Sequence, residues 1–125
     1  MKTAFAVFLF IHAAAHAVGF LSVSGVVDIE DTDGTPSILL TGFEKGPWVM
    51  VLDSILWLVA LGFFVAAGVG ALTGAPWTVP ILISGTALSA ALCTIWYREV
   101  PFGIAANVVV VLTLSVPALS DRLLP

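Results

Sequence analysis

Four long apolar segments dominate this sequence and restrict its fold more than any other feature. They cover residues 4–27, 48–72, 77–97 and 102–119. Each is close to the roughly 20 residues that a helix needs to cross about 30 Å of hydrocarbon. A single segment that crosses lipid forms a helix, because a helix satisfies its own backbone hydrogen bonds. We therefore predict an all-α membrane protein, an antiparallel bundle of four transmembrane helices.

The composition of the chain supports this prediction. Hydrophobic residues make up 60% and charged residues 10%, whereas a soluble domain has about 25% charged residues. The mean hydropathy is +1.15, and a chain of 125 residues has too little interior to hide so much apolar surface. The partner that covers this surface is therefore the lipid bilayer. The net charge of −4 provides no basic surface for nucleic acid.

Residues 1–125 are read as one membrane domain whose sizeable polar part is an acidic extramembrane loop at 28–47. An EF-hand with its glycine at Gly34 would need ligands where Ile29 and Leu40 stand, so that motif is absent. A looser cation site and a solvated acidic loop both stay open. Four spans place both termini on one side of the membrane. The positive charges are balanced between the two sides, while the free amino terminus and the acidic loop favour cytoplasmic termini in a multi-pass protein of the cell membrane.

The first segment also has some features of a signal peptide. An apolar run leads to Ala15-His16-Ala17, which has the pattern of a cleavage site. The apolar run continues beyond that point to Val27. We therefore expect the segment to be retained as a transmembrane helix.

Polar side chains within the four segments are few, and they are the candidates for function. An ionisable residue at the centre of a span costs about 2.5–3.5 kcal/mol on insertion scales, so such residues usually face the interior of a bundle. His12 and His16 are four residues apart and therefore share one helix face, about 6 Å apart along the axis. Polar or aromatic residues at similar expected depth lie on the other three segments. We predict that they line one pocket in the outer half of the bundle: His12, His16, Asp53, Trp57, Ser89 and Asn107.

Three chemical interpretations of this pocket are open. His12 and His16 are candidate ligands of a transition metal such as zinc or copper, with Asp53 or Cys93 completing the site. A histidine–aspartate pair is also suited to relaying protons or to binding a small ligand or quinone. The third interpretation is purely structural hydrogen bonding between helices. Haem held by two histidines of one chain is disfavoured, because both histidines lie on the same helix face.

Short motifs occur in all four segments: His12-x-x-x-His16-x-x-Gly19-Phe20, Leu56-Trp57-Leu58-Val59-Ala60, Ser89 with Leu92, and Phe102-Gly103-Ile104-Ala105-Ala106-Asn107. These motifs resemble those of a group of small bacterial four-helix integral membrane proteins with no settled function. The resemblance covers most of the chain except the acidic loop and implies the four-helix fold rather than an activity.

Two hypotheses for function follow. The first is an accessory or interaction subunit, or an oligomeric membrane component, with a second copy or another membrane protein as its partner. It is based on the small size and on small residues at four-residue spacing, such as Gly62, Ala66 and Gly70, which let helices approach closely in lipid. The alternative is a metal-, quinone- or small-ligand-binding protein, an enzyme or a transporter, that uses His12 and His16 with Asp53.

Overall fold

The structure, a computed structural model, describes residues 1–26, 47–96 and 100–125. The acidic loop predicted at 28–47 thus lies outside the described residues except for Pro47, as do residues 97–99. Within the described part, all regular structure is helical. The helices are α1 (Lys2–Val23), α2 (Pro47–Thr73), α3 (Thr78–Ile95), α4 (Pro101–Ser115) and α5 (Pro117–Leu123).

Three of these helices, α1, α2 and α3, are long and apolar enough to cross a membrane. A fourth crossing is present if α4 and α5 are counted together as one bent span. Over the described residues, this confirms the prediction of an all-helical chain with several helices long and apolar enough to span a membrane. The helix boundaries agree with the predicted segments within a few residues, apart from the ends of the first and fourth.

The first helix ends at Val23, and the chain turns over the next residues. Gly25 has a φ angle of +71°, which is a left-handed conformation that glycine adopts without a steric penalty. The helix is therefore shorter than the predicted segment, which continued to residue 27. Gly74 also has a φ angle of +71° and ends α2 in the same way. The short connection that follows it leads directly into α3, which packs against α2.

The fourth apolar segment, predicted as one span over 102–119, is broken in the structure. Pro117 has no backbone N–H and restricts the residue before it to an extended conformation. Val116 adopts that conformation, with φ −101° and ψ 109°, and the helix axis bends by 97° between α4 and α5. The 15 residues of α4 extend about 22 Å, which is less than the hydrocarbon thickness of about 30 Å.

An apolar core joins the start of α1 to the end of the chain. Phe5 and Leu9 from α1 lie in the same buried cluster as Leu124, which follows α5. Both termini therefore lie at the same end of the helices. The cluster takes residues from all four apolar segments: Phe5, Leu9, Ala13, Phe64, Ala67, Leu82, Val110 and Leu124.

A second, smaller cluster lies towards the other end of the helices. Its buried members are Trp57, Ala60 and Leu92, and Phe20 and Trp96 are among the partly buried residues packed against it. The outward faces of the helices carry large exposed apolar side chains, including Trp48, which is 84% exposed. Such surfaces suit contact with lipid rather than water.

Close contact between α1 and α2 depends on Gly19. A Cβ atom at this position would lie 2.5–2.7 Å from atoms of the Trp57 ring. Real Cβ atoms do not approach carbon that closely, so any side chain here would push the two helices apart. The indole ring of Trp57 therefore lies directly against the backbone of α1.

We expect Gly19→Ala to lower the free energy of unfolding by about 1–3 kcal/mol, the usual cost of overpacking. Gly62→Ala is the matched control, because nothing lies within 4 Å of a Cβ at Gly62 and alanine is the better helix former. Reversible unfolding in mixed detergent micelles, followed by circular dichroism, measures both. Equal unfolding midpoints for the two variants would contradict the close approach.

Candidate functional site

Four polar side chains predicted to share a pocket meet in the middle of the structure. His12 and His16 come from α1, Ser89 from α3 and Asn107 from α4. They are almost completely buried, with exposed fractions of 4%, 2%, 0% and 6% respectively. The structure thus brings together three of the four apolar segments through polar side chains, and α2 contributes aromatic rings.

The spacing of residues along α1 explains why both histidines point inwards. Phe5, Leu9, His12, Ala13 and His16 are all buried, and they recur at intervals of three and four residues. This periodicity places them on one face of the helix. The histidines continue a face that is otherwise apolar, so they enter the protein interior together with it.

A hydrogen-bond network links three of the helices at Ser89. Asn107 Nδ2 donates to Ser89 Oγ at 2.9 Å, and Asn107 Oδ1 lies 3.2 Å from His12 Nε2. Since an amide oxygen can only accept, His12 Nε2 is the donor in this contact. Ser89 Oγ lies 3.0 Å from His16 Nε2 and 3.5 Å from His12 Nε2.

The hydroxyl of Ser89 has one hydrogen to donate, and His16 Nε2 is its nearer histidine partner. When Ser89 donates to His16 Nε2, the neutral imidazole carries its own hydrogen on Nδ1. His16 Nδ1 is buried and has no hydrogen-bond partner among the described residues. The network thus provides partners for His12 Nε2, Ser89 and Asn107, whereas His16 Nδ1 has none among the described residues; in the tautomer with Ser89 as donor, this atom is a donor without an acceptor.

Aromatic rings of α2 form a wall beside the two histidines. Phe64 lies against both, with ring centroids 4.3 Å from His12 and 5.3 Å from His16. Trp57 lies 5.2 Å from His16 and is 2% exposed. The indole Nε1 of Trp57 is likewise buried without a hydrogen-bond partner among the described residues. Two adjacent rings, His16 and Trp57, thus each carry one buried polar atom that is unsatisfied.

Phe64 was not among the candidates that the sequence suggested. The sequence does contain one indication of its role: Phe64 lies seven residues after Trp57, and residues seven apart lie on the same face of a helix. The role of Gly103, which allows α4 to pack closely against α3, was also not identified from the sequence. A Cβ at Gly103 would lie 2.8 Å from Cys93 Sγ, so glycine lets α4 approach α3 and brings Asn107, one turn later, to Ser89.

Asp53 lies apart from the histidine cluster. Its Oδ2 accepts a hydrogen bond of 2.9 Å from Trp96 Nε1, which joins α2 to the end of α3. The carboxylate also approaches the indole N–H of Trp57, but outside hydrogen-bonding geometry. Among the predicted site residues, Asp53 therefore sits one helical turn beyond Trp57 rather than in contact with His12 and His16.

A metal site would need further ligands beside the two histidines. Their ring centroids are 4.9 Å apart, and both Nε2 atoms face Ser89 Oγ. In residues 1–26, 47–96 and 100–125, no three side chains of His, Cys, Asp or Glu are grouped so that they could hold a metal ion. Cys93 Sγ is 3.7 Å from Asn107 Nδ2 and 3.9 Å from Ser89 Oγ, and takes part in the hydrogen-bond network.

Comparison with known protein families, with curated proteins and with solved structures finds no match to this chain. The resemblance to small bacterial four-helix membrane proteins therefore stays a prediction.

We expect Ser89→Ala to lower the free energy of unfolding by about 1–2 kcal/mol, because it leaves His16 Nε2 and Asn107 Nδ2 without their partner. Ser84→Ala on the same helix is the control. Ser84 is exposed and its hydroxyl bonds to the carbonyl of Pro80, so we expect a change within about 0.5 kcal/mol. The readout is the detergent unfolding midpoint, and a Ser89 variant as stable as the Ser84 variant would show that the network contributes nothing.

Proposed function

We propose that this chain is an integral protein of the cell membrane that binds a small ligand within its helices, at His16 and the side chains around it. The observation that supports this most directly is a pair of atoms on adjacent buried rings, His16 Nδ1 and Trp57 Nε1, that have no partner in residues 1–26, 47–96 and 100–125. Leaving a buried donor without an acceptor costs about 1–3 kcal/mol. Most buried polar groups in proteins have a partner for this reason. A bound molecule that supplies an acceptor removes this cost.

A purely structural role explains less of this arrangement. The bonds among His12, Ser89 and Asn107 already join α1, α3 and α4. A second histidine is not needed for that purpose, and its unsatisfied nitrogen makes the folded state less stable. His16 is therefore better explained as the group that meets a ligand.

The site is accessible from one side of the membrane in this proposal. Between the histidines and the termini lies the apolar cluster that includes Leu9, Phe64 and Leu124. Buried threonines in the described part of this half bond to carbonyls of their own helix or its preceding turn, as Thr86 and Thr113 do. We therefore propose a binding site open towards the end with Asp53 and Trp96, and not a continuous path across the membrane.

The proposed topology is an antiparallel arrangement of four spans, the fourth of them broken, with cytoplasmic termini. It is supported by the contact of Leu124 with the core around Phe5 and by the sharp turn before α5. Asp121 and Arg122 on α5 are exposed, which suits a short helix at the membrane surface. The histidine cluster then faces the outer half of the bilayer.

We expect the chain, purified from cell membranes in mild detergent, to retain a small molecule in a ratio near one per chain. His16→Phe keeps an aromatic ring but removes both nitrogen atoms, and we expect it to lose that molecule. Thr86→Val is the control, because Thr86 is a buried polar residue bonded within its own helix. Solvent extraction followed by mass spectrometry identifies and counts the molecule.

Circular dichroism establishes whether His16→Phe still folds, and Trp57→Phe provides a second, milder test of the same site. If wild-type protein retains nothing, or if His16→Phe retains the molecule as well as wild type, the site does not bind a ligand.

A second candidate function, a subunit of a homo-oligomer or of a larger membrane complex, is favoured by α4. This helix is shorter than the bilayer and buries one narrow face, with Asn107, Val110 and Thr113 inside and residues such as Val108 and Val111 exposed. Short spans are accommodated by several means, and oligomerisation is one of them. Contact of the exposed α4 face with another chain would cover it from lipid.

For this second candidate we expect Val108→Cys to form disulfide-linked dimers in membranes after mild oxidation, because a paired α4 face would bring two copies together. Val69→Cys on α2 is the control, since Val69 is similarly exposed on a different helix. Gel electrophoresis without reductant measures the cross-link. If Val108→Cys migrates on the gel as a single chain and forms no more cross-linked dimer than Val69→Cys, the chain does not self-associate through α4.

A further inference from the structure

The chemistry of the two unsatisfied atoms restricts what they can bind. The indole Nε1–H of Trp57 can only donate a hydrogen bond. His16 Nδ1 also carries a hydrogen when Ser89 donates to His16 Nε2, which is the shortest contact of that imidazole. With the hydrogen of His16 on Nδ1, two adjacent rings each present a donor, and one ligand oxygen that accepts two hydrogen bonds would satisfy both. A carbonyl oxygen has the two lone pairs that this requires.

The surroundings favour a neutral and flat ligand. Asp53 lies one turn from Trp57 on the same helix, and its carboxylate would repel an anion. The ring of Phe64 stacks on that of His16 with an interplanar angle of 8°, and Trp57 also lies beside His16, so the surroundings of His16 are largely aromatic. Flat conjugated rings pack well against aromatic side chains.

A separate apolar cleft lies on the lipid side of the same two helices. Its volume is about 260 Å³, somewhat below the usual range of ligand pockets. Phe20 borders both features, because it lines the cleft and also packs against the cluster that contains Trp57. The cleft is lined by Phe20, Val23, Ser24, Met50, Val51, Ser54, Ile55 and Leu58.

We infer that the ligand is a neutral, lipid-soluble quinone, whose carbonyl oxygen accepts hydrogen bonds from His16 Nδ1 and Trp57 Nε1 and whose hydrocarbon tail lies in the cleft between α1 and α2. This inference rests on the proposed binding function and specifies its ligand class. A phospholipid ester fits less well, because its charged headgroup is attached close to the carbonyl and would have to enter the apolar interior. A quinone has no such group, and its tail enters from the bilayer.

The test uses three probes with purified full-length protein in detergent. Decylubiquinone has both the quinone ring and a tail, ubiquinone-0 has the ring alone, and decylbenzene has the tail on a ring without oxygen. A ligand that binds the folded state raises its thermal unfolding midpoint in a saturable way. We expect decylubiquinone to raise the midpoint most, with smaller shifts from ubiquinone-0, which lacks the tail, and from decylbenzene, which lacks the acceptor oxygen.

Substitutions separate the two halves of the site. Trp57→Phe removes one donor and keeps an aromatic ring, so we expect about 3- to 10-fold weaker binding of both quinones. Ile55→Trp fills the cleft at an exposed position and should weaken decylubiquinone while leaving ubiquinone-0 unchanged. Trp77→Phe is the control, because Trp77 lies at the turn between α2 and α3, and we expect no change in binding.

The possible outcomes distinguish the ligand class from the site itself. Equal midpoint shifts with decylbenzene and decylubiquinone, or undiminished quinone binding by Trp57→Phe, would overturn the inference. If the extraction experiment finds a different molecule that depends on His16 and quinone gives no shift, the ligand class is wrong and the proposed function stands. If wild-type protein retains no molecule and no probe shifts its unfolding midpoint, the proposed ligand class and the proposed binding function are both wrong.

Discussion

The hydrogen bonds that meet at Ser89 Oγ are the interaction on which the arrangement of the helices depends most. Lipid offers no hydrogen-bond partners, so polar side chains on membrane helices find partners on neighbouring helices. Here one hydroxyl group joins Asn107 of α4 to His16 of α1, with His12 close by. Apolar packing between helices has little directional preference, whereas these bonds specify which faces of α1, α3 and α4 meet.

The two histidines have different roles in this network. His12 is bound to Asn107 and lies against Phe64, so its role in joining helices is complete. His16 uses Nε2 in the network, whereas its Nδ1 and the Nε1 of the adjacent Trp57 ring have no hydrogen-bond partner among the described residues. A structural cluster and a candidate binding site therefore share one residue. This combination explains how a chain with so few polar residues holds His16 in a fixed position among its helices.

Small residues determine how closely the elements of this site can approach. Gly19 lets the Trp57 ring lie on the backbone of α1, and Gly103 lets α4 lie against Cys93. Both glycines flank polar residues of the cluster by about one turn. Larger side chains at these positions would still allow helices to form, but they would displace Trp57 from α1 at position 19 and Asn107 from Ser89 at position 103.

The helical nature of the chain, its apolar spans and the shared face of His12 and His16 follow from the sequence alone, because hydrophobicity and helical periodicity are local properties. The sequence also predicted that Ser89, Asn107 and Trp57 would lie near the histidines, since burial in lipid forces scarce polar groups inwards. It did not reveal that Asp53 would bond to Trp96, that Phe64 would contact both imidazoles, or that the last span would break at Pro117 by 97°. Those features depend on the rotation and depth of each helix relative to its neighbours, and only the packing of the folded helices sets them.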